Sequence, residues 1–375
     1  MTKKCMSILD FGSEKLTIMA GMRDVNNSIY VTSIAEENYE GFCDGQFISP
    51  ENLESSIKNC ISKFEKNCGF VLKELTVGVP TEFCYSTCKT VSQSFLKPKK
   101  FDRRDIENLF SSVDDLNVST HQVINKGSVY FVIGENNKVN SPIGQVDKKV
   151  TACLSFVLAQ KDFVENIRNI LSRCGIHNVN FVSSAYAEAL YLFDDDEREN
   201  YVLLIDCGYI TTSVMLLRGR GILNLSSFSL GGGHISADLS KCLKLPFSSA
   251  EVLAKKIVLS INPSDKDMYE ILVDNKVIPI SMKVANAIVE SRLEVIASGI
   301  QKCFSLWQYD YPSFIPIYLT GGGLSFIKGA KDMLGKELGK NVEIARVPYS
   351  IYNKPNYSSS MSLLNYVLNN SKNSF

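Results

Sequence analysis

A strand that ends in Asp-x-Gly and turns into a second strand occurs twice in this sequence. The first copy contains Asp10 and Gly12 and continues into the apolar stretch 16–21, and the second contains Asp206 and Gly208. A turn of this kind aims backbone N–H groups at one point, where they can hold phosphate oxygens. A strand-end aspartate can hold a hydrated magnesium ion. One copy would be typical of an ordinary hairpin, but two copies predict two similar halves that close around one nucleotide.

A third element follows later in the chain, where three consecutive glycines come after a buried-looking strand. The strand is 316–320, the glycines are 321–323, and the pattern predicts a helix over 325–338. Glycines at a strand end let the backbone approach a flat group closely, although a tight structural turn would look the same. With the two hairpins upstream, the order is phosphate loop, phosphate loop, adenosine loop.

Composition narrows the class of function. The 375 residues suffice for two or more domains, and 40 basic and 40 acidic residues leave no net charge to attract nucleic acid or an anionic membrane. The 11 cysteines and three histidines show no spacing typical of a zinc site. The sequence shows no signal peptide and no apolar run of membrane-spanning length. We therefore expect a cytoplasmic protein with reduced cysteines.

The order of apolar patterns predicts an α/β fold with an insertion. Residues 1–80 and 163–200 alternate strands and helices and are expected to form the first half. Between them, 81–162 changes to short strands around lysine-rich bends, which indicates a small α+β subdomain. Residues 201–350 are expected to form the second half. The segment 351–375 is expected to form a C-terminal helix that packs back on the first half.

At this point the sequence resembles the actin/Hsp70/sugar-kinase ATPase superfamily and, within it, the FtsA family of bacterial cell-division proteins. Segments in the family's order carry the closer match: 140–144, 174–176, 196–199, 230–239, 250–251 and 290–294. The resemblance implies an actin-like ATPase fold, with two RNase H-like halves around a nucleotide cleft. It also implies that 81–162 is the inserted, SHS2-like subdomain of FtsA proteins.

The resemblance implies roles for individual residues in binding ATP and Mg²⁺. Asp10 and Asp206 would hold the metal through water molecules. Contacts with the phosphates are implied for Gly12, Ser13, Lys15, Gly208, Thr211 and Thr212. Further cofactor contacts are implied for Gly232, for Glu251 and Lys255 at the ribose, and for Gly321, Gly322 and Gly323 at the adenosine. Glu188 is a candidate for orienting the hydrolytic water, but its position in a helix favours an exposed carboxylate.

The implied function is that of an FtsA-like actin homologue in bacterial cell division. It would bind ATP and assemble as an adaptor for the tubulin-like division ring, with an FtsZ-like partner and self-association through 81–162. The resemblance also implies recruitment to the inner face of the cell membrane at the division site. The polar tail shows no strong membrane anchor, and no nucleic-acid partner is expected.

Three residues depart from the family pattern and leave a second function open. Glu14 brings a carboxylate close to the expected phosphates, where it would repel them. Tyr209 and Ile210 stand where the family has glycines, and their side chains restrict close approach to phosphate. The chain is therefore at most a slow ATPase. The alternative is a degenerate, non-hydrolysing scaffold that binds protein partners with weak or no nucleotide binding, and a sugar or metabolite kinase is a third possibility.

Overall fold

The computed structural model describes residues 5–114, 116–135, 137–307, 311–312, 314–345 and 354–370. The expected C-terminal segment 351–375 is therefore seen over 354–370, and its residues 351–353 and 371–375 lie outside the described residues. Residues 1–4 of the expected first half also lie outside them. In the described part of the chain, no helix is long and apolar enough to cross a membrane.

The chain begins with the first predicted hairpin. The elements before the insertion are β1 (Met6–Phe11), β2 (Lys15–Arg23), β3 (Ile29–Asn38), β4 (Phe42–Cys43), β5 (Gln46–Phe47), α1 (Pro50–Cys68) and β6 (Glu74–Val79). β1 and β2 pair in antiparallel over the whole of β1. Helix α1 begins with Pro50, whose fixed φ suits a first helical turn. It ends at Gly69, whose φ of 75° is the left-handed conformation that glycine favours.

A four-stranded antiparallel sheet follows, in the strand order β7-β10-β8-β9. Its elements are β7 (Cys84–Lys100), α2 (Arg103–Ser111), β8 (His121–Ile133), β9 (Asn137–Val139) and β10 (Val146–Gln160). The expectation of lysine-rich bends is wrong, because 97–100 lies within β7 and 148–149 lies within β10. The two strands pair on both sides of these segments, and the register shifts from Asp147 opposite Lys99 to Lys149 opposite Ser94, which leaves 95–98 and 148 without ladder partners among the described residues. Pro98 is tolerated because β7 is an edge strand.

Three further elements complete the first five-stranded sheet and its covering layer. They are α3 (Lys161–Arg173), β11 (Asn178–Ser183) and α4 (Ser184–Leu192). The strand order is β11-β6-β1-β2-β3, with β1, β6 and β11 parallel to one another. Helix α4 begins directly after β11, where the Ser183 hydroxyl accepts a hydrogen bond from the Tyr186 amide, as an N-cap residue does.

The second half repeats this sheet. Its elements are β12 (Val202–Cys207), β13 (Thr212–Arg218), β14 (Gly221–Phe228), α5 (Gly232–Leu243), α6 (Phe247–Ala254), β15 (Met268–Val273), β16 (Lys276–Ser281), α7 (Met282–Leu306), β17 (Ile317–Thr320), α8 (Ala330–Leu338) and β18 (Val342–Ile344). The strand order β14-β13-β12-β17-β18 contains three antiparallel strands followed by two parallel ones. The first sheet has the same arrangement from β3 to β11, so the repeated sequence pattern corresponds to a repeated sheet.

The helix after the three glycines begins later than 325, which corrects the sequence prediction. Residues 321–329 form a turn, and α8 begins only at Ala330. Gly321 and Gly329 have φ values of 86° and 89°, a left-handed conformation that interrupts helix formation. The Gly323 amide donates to the carbonyl of Cys207 at 2.7 Å, which ties this turn to the end of β12.

The last helix, α9 (Ser358–Asn370), packs on β1, β2 and α4. Leu363 and Leu364 are fully buried there. A Cβ atom at Gly78 of β6 would lie 2.3 Å from Leu363 Cδ1, so only glycine lets the helix approach this closely. The end of the described chain thereby contacts the strand that carries Asp10.

The four-stranded sheet also packs against the second half of the chain. The Ser155 hydroxyl donates to the Ile222 carbonyl at 2.7 Å and accepts from the Ile222 amide at 3.0 Å. A Cβ at Gly221 would lie 2.6 Å from a methyl group of Val129. Segment 81–162 is therefore covalently connected to the elements of the first sheet, and it packs against β14 of the second sheet.

Candidate functional site

One cavity of about 520 Å³ opens where the two Asp-x-Gly hairpins face each other, a volume within the usual range for small-molecule sites. Nearly all of the residues singled out in the sequence line it, and they come from both halves: Asp10, Gly12, Ser13, Lys15, Glu188, Asp206, Gly208, Thr211, Gly232, Glu251, Lys255, Gly321, Gly322 and Gly323. Thr212 is absent from this wall, because it is fully buried and its hydroxyl donates to the Leu230 carbonyl at 2.6 Å.

The same cavity has an apolar side. Ala254, Phe326 and Ile327 line it together with the three glycines at 321–323. Phe326 is about half exposed, at 45%, so a flat ligand could cover its ring. This side differs from the hairpin side, where carboxylates and hydroxyl groups dominate. The cavity can therefore accept a molecule that is charged at one end and apolar at the other.

Three carboxylates share the hairpin end of the cavity. Burial raises the pKa of Asp10, although hydrogen bonds from serine hydroxyls partly offset this. Burial and the charge of Asp10 raise the pKa of Asp206 to about 6. Burial and the charge of Asp206 raise the pKa of Glu188 well above its ordinary value. Like charges disfavour ionisation of one another, so ionising all three carboxylates together is costly.

Glu188 is not the exposed helix carboxylate that the sequence favoured. Its side chain is 2% exposed, and its Oε1 accepts a hydrogen bond from the Ser358 hydroxyl at 2.6 Å. The prediction fails because α4 is covered on the relevant side by α9, which is distant in the sequence. Nothing in the local pattern around residue 188 indicates that contact.

The start of α9 contributes residues that the sequence analysis missed. The Ser359 hydroxyl donates to Asp10 Oδ1 at 2.8 Å, and the Ser360 hydroxyl donates to Asp10 Oδ2 at 2.7 Å. Both serines line the cavity. Three consecutive serines are visible in the sequence as a helix start, but a contact across some 350 residues leaves no local signal.

The two bulky residues of the second hairpin loop, Tyr209 and Ile210, hydrogen-bond to residues of the cavity wall. The Ile210 amide donates to the Ser13 hydroxyl at 2.9 Å, which joins the two hairpins directly. The Tyr209 hydroxyl donates to Glu251 Oε1 at 2.7 Å. A Cβ at Gly233 would lie 2.8 Å from the Tyr209 ring. Ser13 and Glu251, expected to contact the phosphates and the ribose, are thus hydrogen-bonded to this loop.

The three glycine-containing loops of the second half interlock. A Cβ at Gly323 would lie 2.3 Å from the Gly208 carbonyl oxygen, and a Cβ at Gly232 would lie 2.5 Å from Gly323 Cα. Backbones can approach this closely only without side chains. The Gly232 amide also donates to the Gly208 carbonyl at 2.9 Å. These contacts fix the relative positions of the loops around the cavity.

Charge around the cavity is mostly negative. The Lys15 ammonium lies 2.6 Å from Glu36, so part of its charge is already neutralised. Burial and the neighbouring charge of Glu251 raise the pKa of Glu14. Lys255 is the other lysine on the wall. A triphosphate would therefore need an accompanying cation to enter.

The donor set fits a hydrated magnesium ion better than a direct protein cage. In the described ranges, no group of three or more His, Cys, Asp or Glu residues has the geometry to hold a metal. Mg²⁺ usually keeps several waters and binds through one or two carboxylates together with substrate phosphates. Asp10 and Asp206, which both line this cavity, match that pattern. They would hold the ion, and it would neutralise phosphate charge.

The raised pKa of Asp206 predicts a pH-dependent stability. An ordinary aspartate titrates near 3.8, whereas Asp206 titrates at about 6, so the folded state binds the extra proton between these values. Its contribution to stability is complete below pH 3.8 and is lost as the pH rises through 6. We expect Asp206→Asn to become more stable relative to the original chain by about 2 kcal/mol between pH 4 and pH 7.

Urea unfolding of both proteins in EDTA at each pH measures this difference. Asp332→Asn, at an exposed position, is the matched control and should show a constant difference from the original chain. A stability difference for Asp206→Asn that does not change with pH would contradict the assignment of the raised pKa.

Known proteins resemble the chain in sequence and in fold. The family model for cell division protein FtsA matches residues 203–362. Cell division protein FtsA of Pseudomonas aeruginosa is 22% identical over 373 residues, which cover 96% of this chain and 88% of that protein. The FtsA protein of Bacillus subtilis is 20% identical over 372 residues, covering 97% and 83%.

A solved structure confirms the predicted fold class. MreB5 of Spiroplasma citri bound to AMPPNP superposes with a TM-score of 0.57 at 14% identity, over the full length of both chains. The predicted actin-like ATPase fold, with two halves of like topology, is therefore correct. Together with the match across nearly the whole chain to curated relatives, these findings show that the chain is similar in sequence to cell division protein FtsA and shares the actin-like fold.

Proposed function

We propose that the chain binds ATP with Mg²⁺ in the cavity between its two halves and acts in cell division as an assembling adaptor. The observation that carries this proposal is the convergence of two Asp-x-Gly hairpins and a triple-glycine turn on one cavity. Each loop matches one part of a nucleotide: the hairpins match the phosphates, and the glycines with their apolar neighbours match the adenosine.

Residues on the cavity wall have proposed roles in binding Mg²⁺ and ATP. Asp10 and Asp206 would hold the waters of the metal ion, and the Thr211 hydroxyl lines the cavity as a phosphate donor. The Gly12 and Gly208 amides close their own hairpins by donating to the carbonyls of Lys15 and Thr211, so these glycines would shape the phosphate loops. Glu251 and Lys255 approach the ribose. Glu188 is the carboxylate that we propose for orienting the hydrolytic water. Because it already accepts a hydrogen bond from Ser358, we expect turnover to be slow. The structure of MreB5 with AMPPNP supports nucleotide binding at this fold.

The partner proposed is an FtsZ-like, tubulin-like division protein at the inner face of the cell membrane. Support comes from the curated relatives, all of them division proteins by name. Self-association is proposed through 81–162, where Leu96, Ile143 and Val146 are exposed apolar side chains. Leu96 lies on β7, an edge strand of its sheet, and edge strands offer unpaired backbone groups to a second chain.

Removal of the Asp206 carboxylate tests the nucleotide site. We expect Asp206→Asn to weaken binding of ATP in Mg²⁺ by about 10-fold to 100-fold, because one of two carboxylates that orient the hydrated metal is lost. Isothermal titration measures the affinity, with Asp332→Asn as the control. Equal affinity in the Asp206 variant would place the site elsewhere. Absence of ATP binding by the original chain would favour the non-nucleotide scaffold.

Turnover should be slow. Tyr209 and Ile210 hold Ser13 and Glu251 in hydrogen bonds, so the catalytic loops are closed before any phosphate arrives. We expect the rate of phosphate release from ATP, measured over hours, to be no higher for the original chain than for Asp206→Asn, which serves as the background. A rate on the order of 1 per second, within the usual range for enzymes, would show that these contacts open readily.

A charge at the exposed edge of 81–162 should weaken self-association. Leu96 is 100% exposed, so Leu96→Glu should leave the fold intact. An apolar contact at this position would then have to desolvate the carboxylate, which is costly. Sedimentation velocity with Mg-ATP compares it with Leu272→Glu, a change at an exposed position of β15 that is 61% accessible. If both variants assemble like the original chain, the contact does not involve this edge.

A further inference from the structure

The first turn of α9 reaches into the candidate site. Three consecutive hydroxyl groups donate to two of its carboxylates: Ser358 to Glu188 at 2.6 Å, Ser359 to Asp10 Oδ1 at 2.8 Å and Ser360 to Asp10 Oδ2 at 2.7 Å. These serines come from the far end of the chain, more than 340 residues after Asp10. No part of the site attributed to the two hairpins includes them.

The two bonds to Asp10 constrain its orientation. Each carboxylate oxygen accepts from one of these serines, so the carboxylate plane cannot rotate without breaking one of the two bonds. The Ser184 hydroxyl adds a longer bond to Oδ1 at 3.5 Å. An ionised carboxylate has about four acceptor positions, and with three of them used, one remains for water bound to a cation. Since Ser359 and Ser360 themselves line the cavity, their oxygens also lie within the space that such water would occupy.

Docking of α9 does not depend on these hydroxyls. Leu363 and Leu364 are fully buried against the first sheet, and burial of each such side chain contributes about 1.5–3 kcal/mol. Ser362 in the next turn is also fully buried, and its hydroxyl has no hydrogen-bond partner within the described chain. Apolar packing, together with hydrogen bonds from Arg23 to Asn365 and Asn369, therefore holds the helix in place without Ser359 and Ser360.

We propose that Ser359 and Ser360 are positioning residues for the magnesium ion, so that the C-terminal helix completes the metal site. This inference rests on the proposed ATP-binding function and assigns to α9 a part of that site. The serines orient the Asp10 carboxylate toward the metal-bound water, and the hydroxyls offer further hydrogen bonds to that water. Loss of both should weaken the contribution of Mg²⁺ to nucleotide binding while leaving metal-free binding unchanged.

The test compares ATP binding with saturating Mg²⁺ and with EDTA, using isothermal titration of the full chain. For Ser359→Ala/Ser360→Ala, we expect the ratio of the two affinities to fall by about 10-fold to 100-fold, as for residues that orient metal ligands. Ser362→Ala on the same helix is the matched control and should retain the original ratio. Ser359→Thr keeps the hydroxyl, so its ratio of affinities should be closer to that of the original chain than the ratio of Ser359→Ala.

A second measurement separates positioning from a structural role. Mn²⁺ bound with ATP gives a paramagnetic resonance signal, and we expect the double variant to bind Mn²⁺ more weakly although it still unfolds in urea in one cooperative transition, as the original chain does. If the double variant does not fold, Ser359→Ala alone, at a partly exposed position, carries the test.

The two hypotheses fail in different ways. An original chain that binds no ATP under either condition overturns the proposed function and, with it, this inference. An original chain with Mg²⁺-dependent binding that the serine variants leave unchanged overturns the inference alone. A loss of equal size in EDTA would show that the serines support the cavity as a whole and would also overturn it.

Discussion

Two aspartates at the ends of equivalent strands share one cavity, and their mutual repulsion is the constraint on which the rest of the site depends. β1 and β12 occupy the same place in their two sheets, so the chain brings Asp10 and Asp206 together by symmetry. Each carboxylate raises the cost of ionising the other. A cation placed between them would remove this cost, which is why the proposed function pairs the nucleotide with a metal.

The repeat that creates this arrangement could be predicted from sequence because it is local. An apolar strand, an aspartate and a glycine turn lie within a few residues of one another in both halves, and each forms an antiparallel hairpin. The fold class followed from that repeat and from the resemblance of further segments. The helix expected at 325 starts five residues later, because glycines with left-handed φ extend the turn.

Contacts between distant residues could not be predicted in the same way. The burial of Glu188 and the serine bonds to Asp10 both depend on α9, which follows the first half by more than 150 residues. The sequence did indicate that Tyr209 and Ile210 would crowd the second loop. It could not show that they bond to Ser13 and Glu251, since these partners lie on other elements. Chemistry at this site thus combines local motifs with long-range packing.

The segment 81–162 is joined by the chain to one half of the molecule and packed against the other. Its ends leave from β6 and enter α3, whereas Ser155 and Val129 meet the β14 hairpin of the second half. The segment therefore links the two halves by contacts as well as by the chain. If the halves were to rotate apart, either the Ser155–Ile222 hydrogen bonds would break or the segment would move with β14 and carry the exposed Leu96 with it.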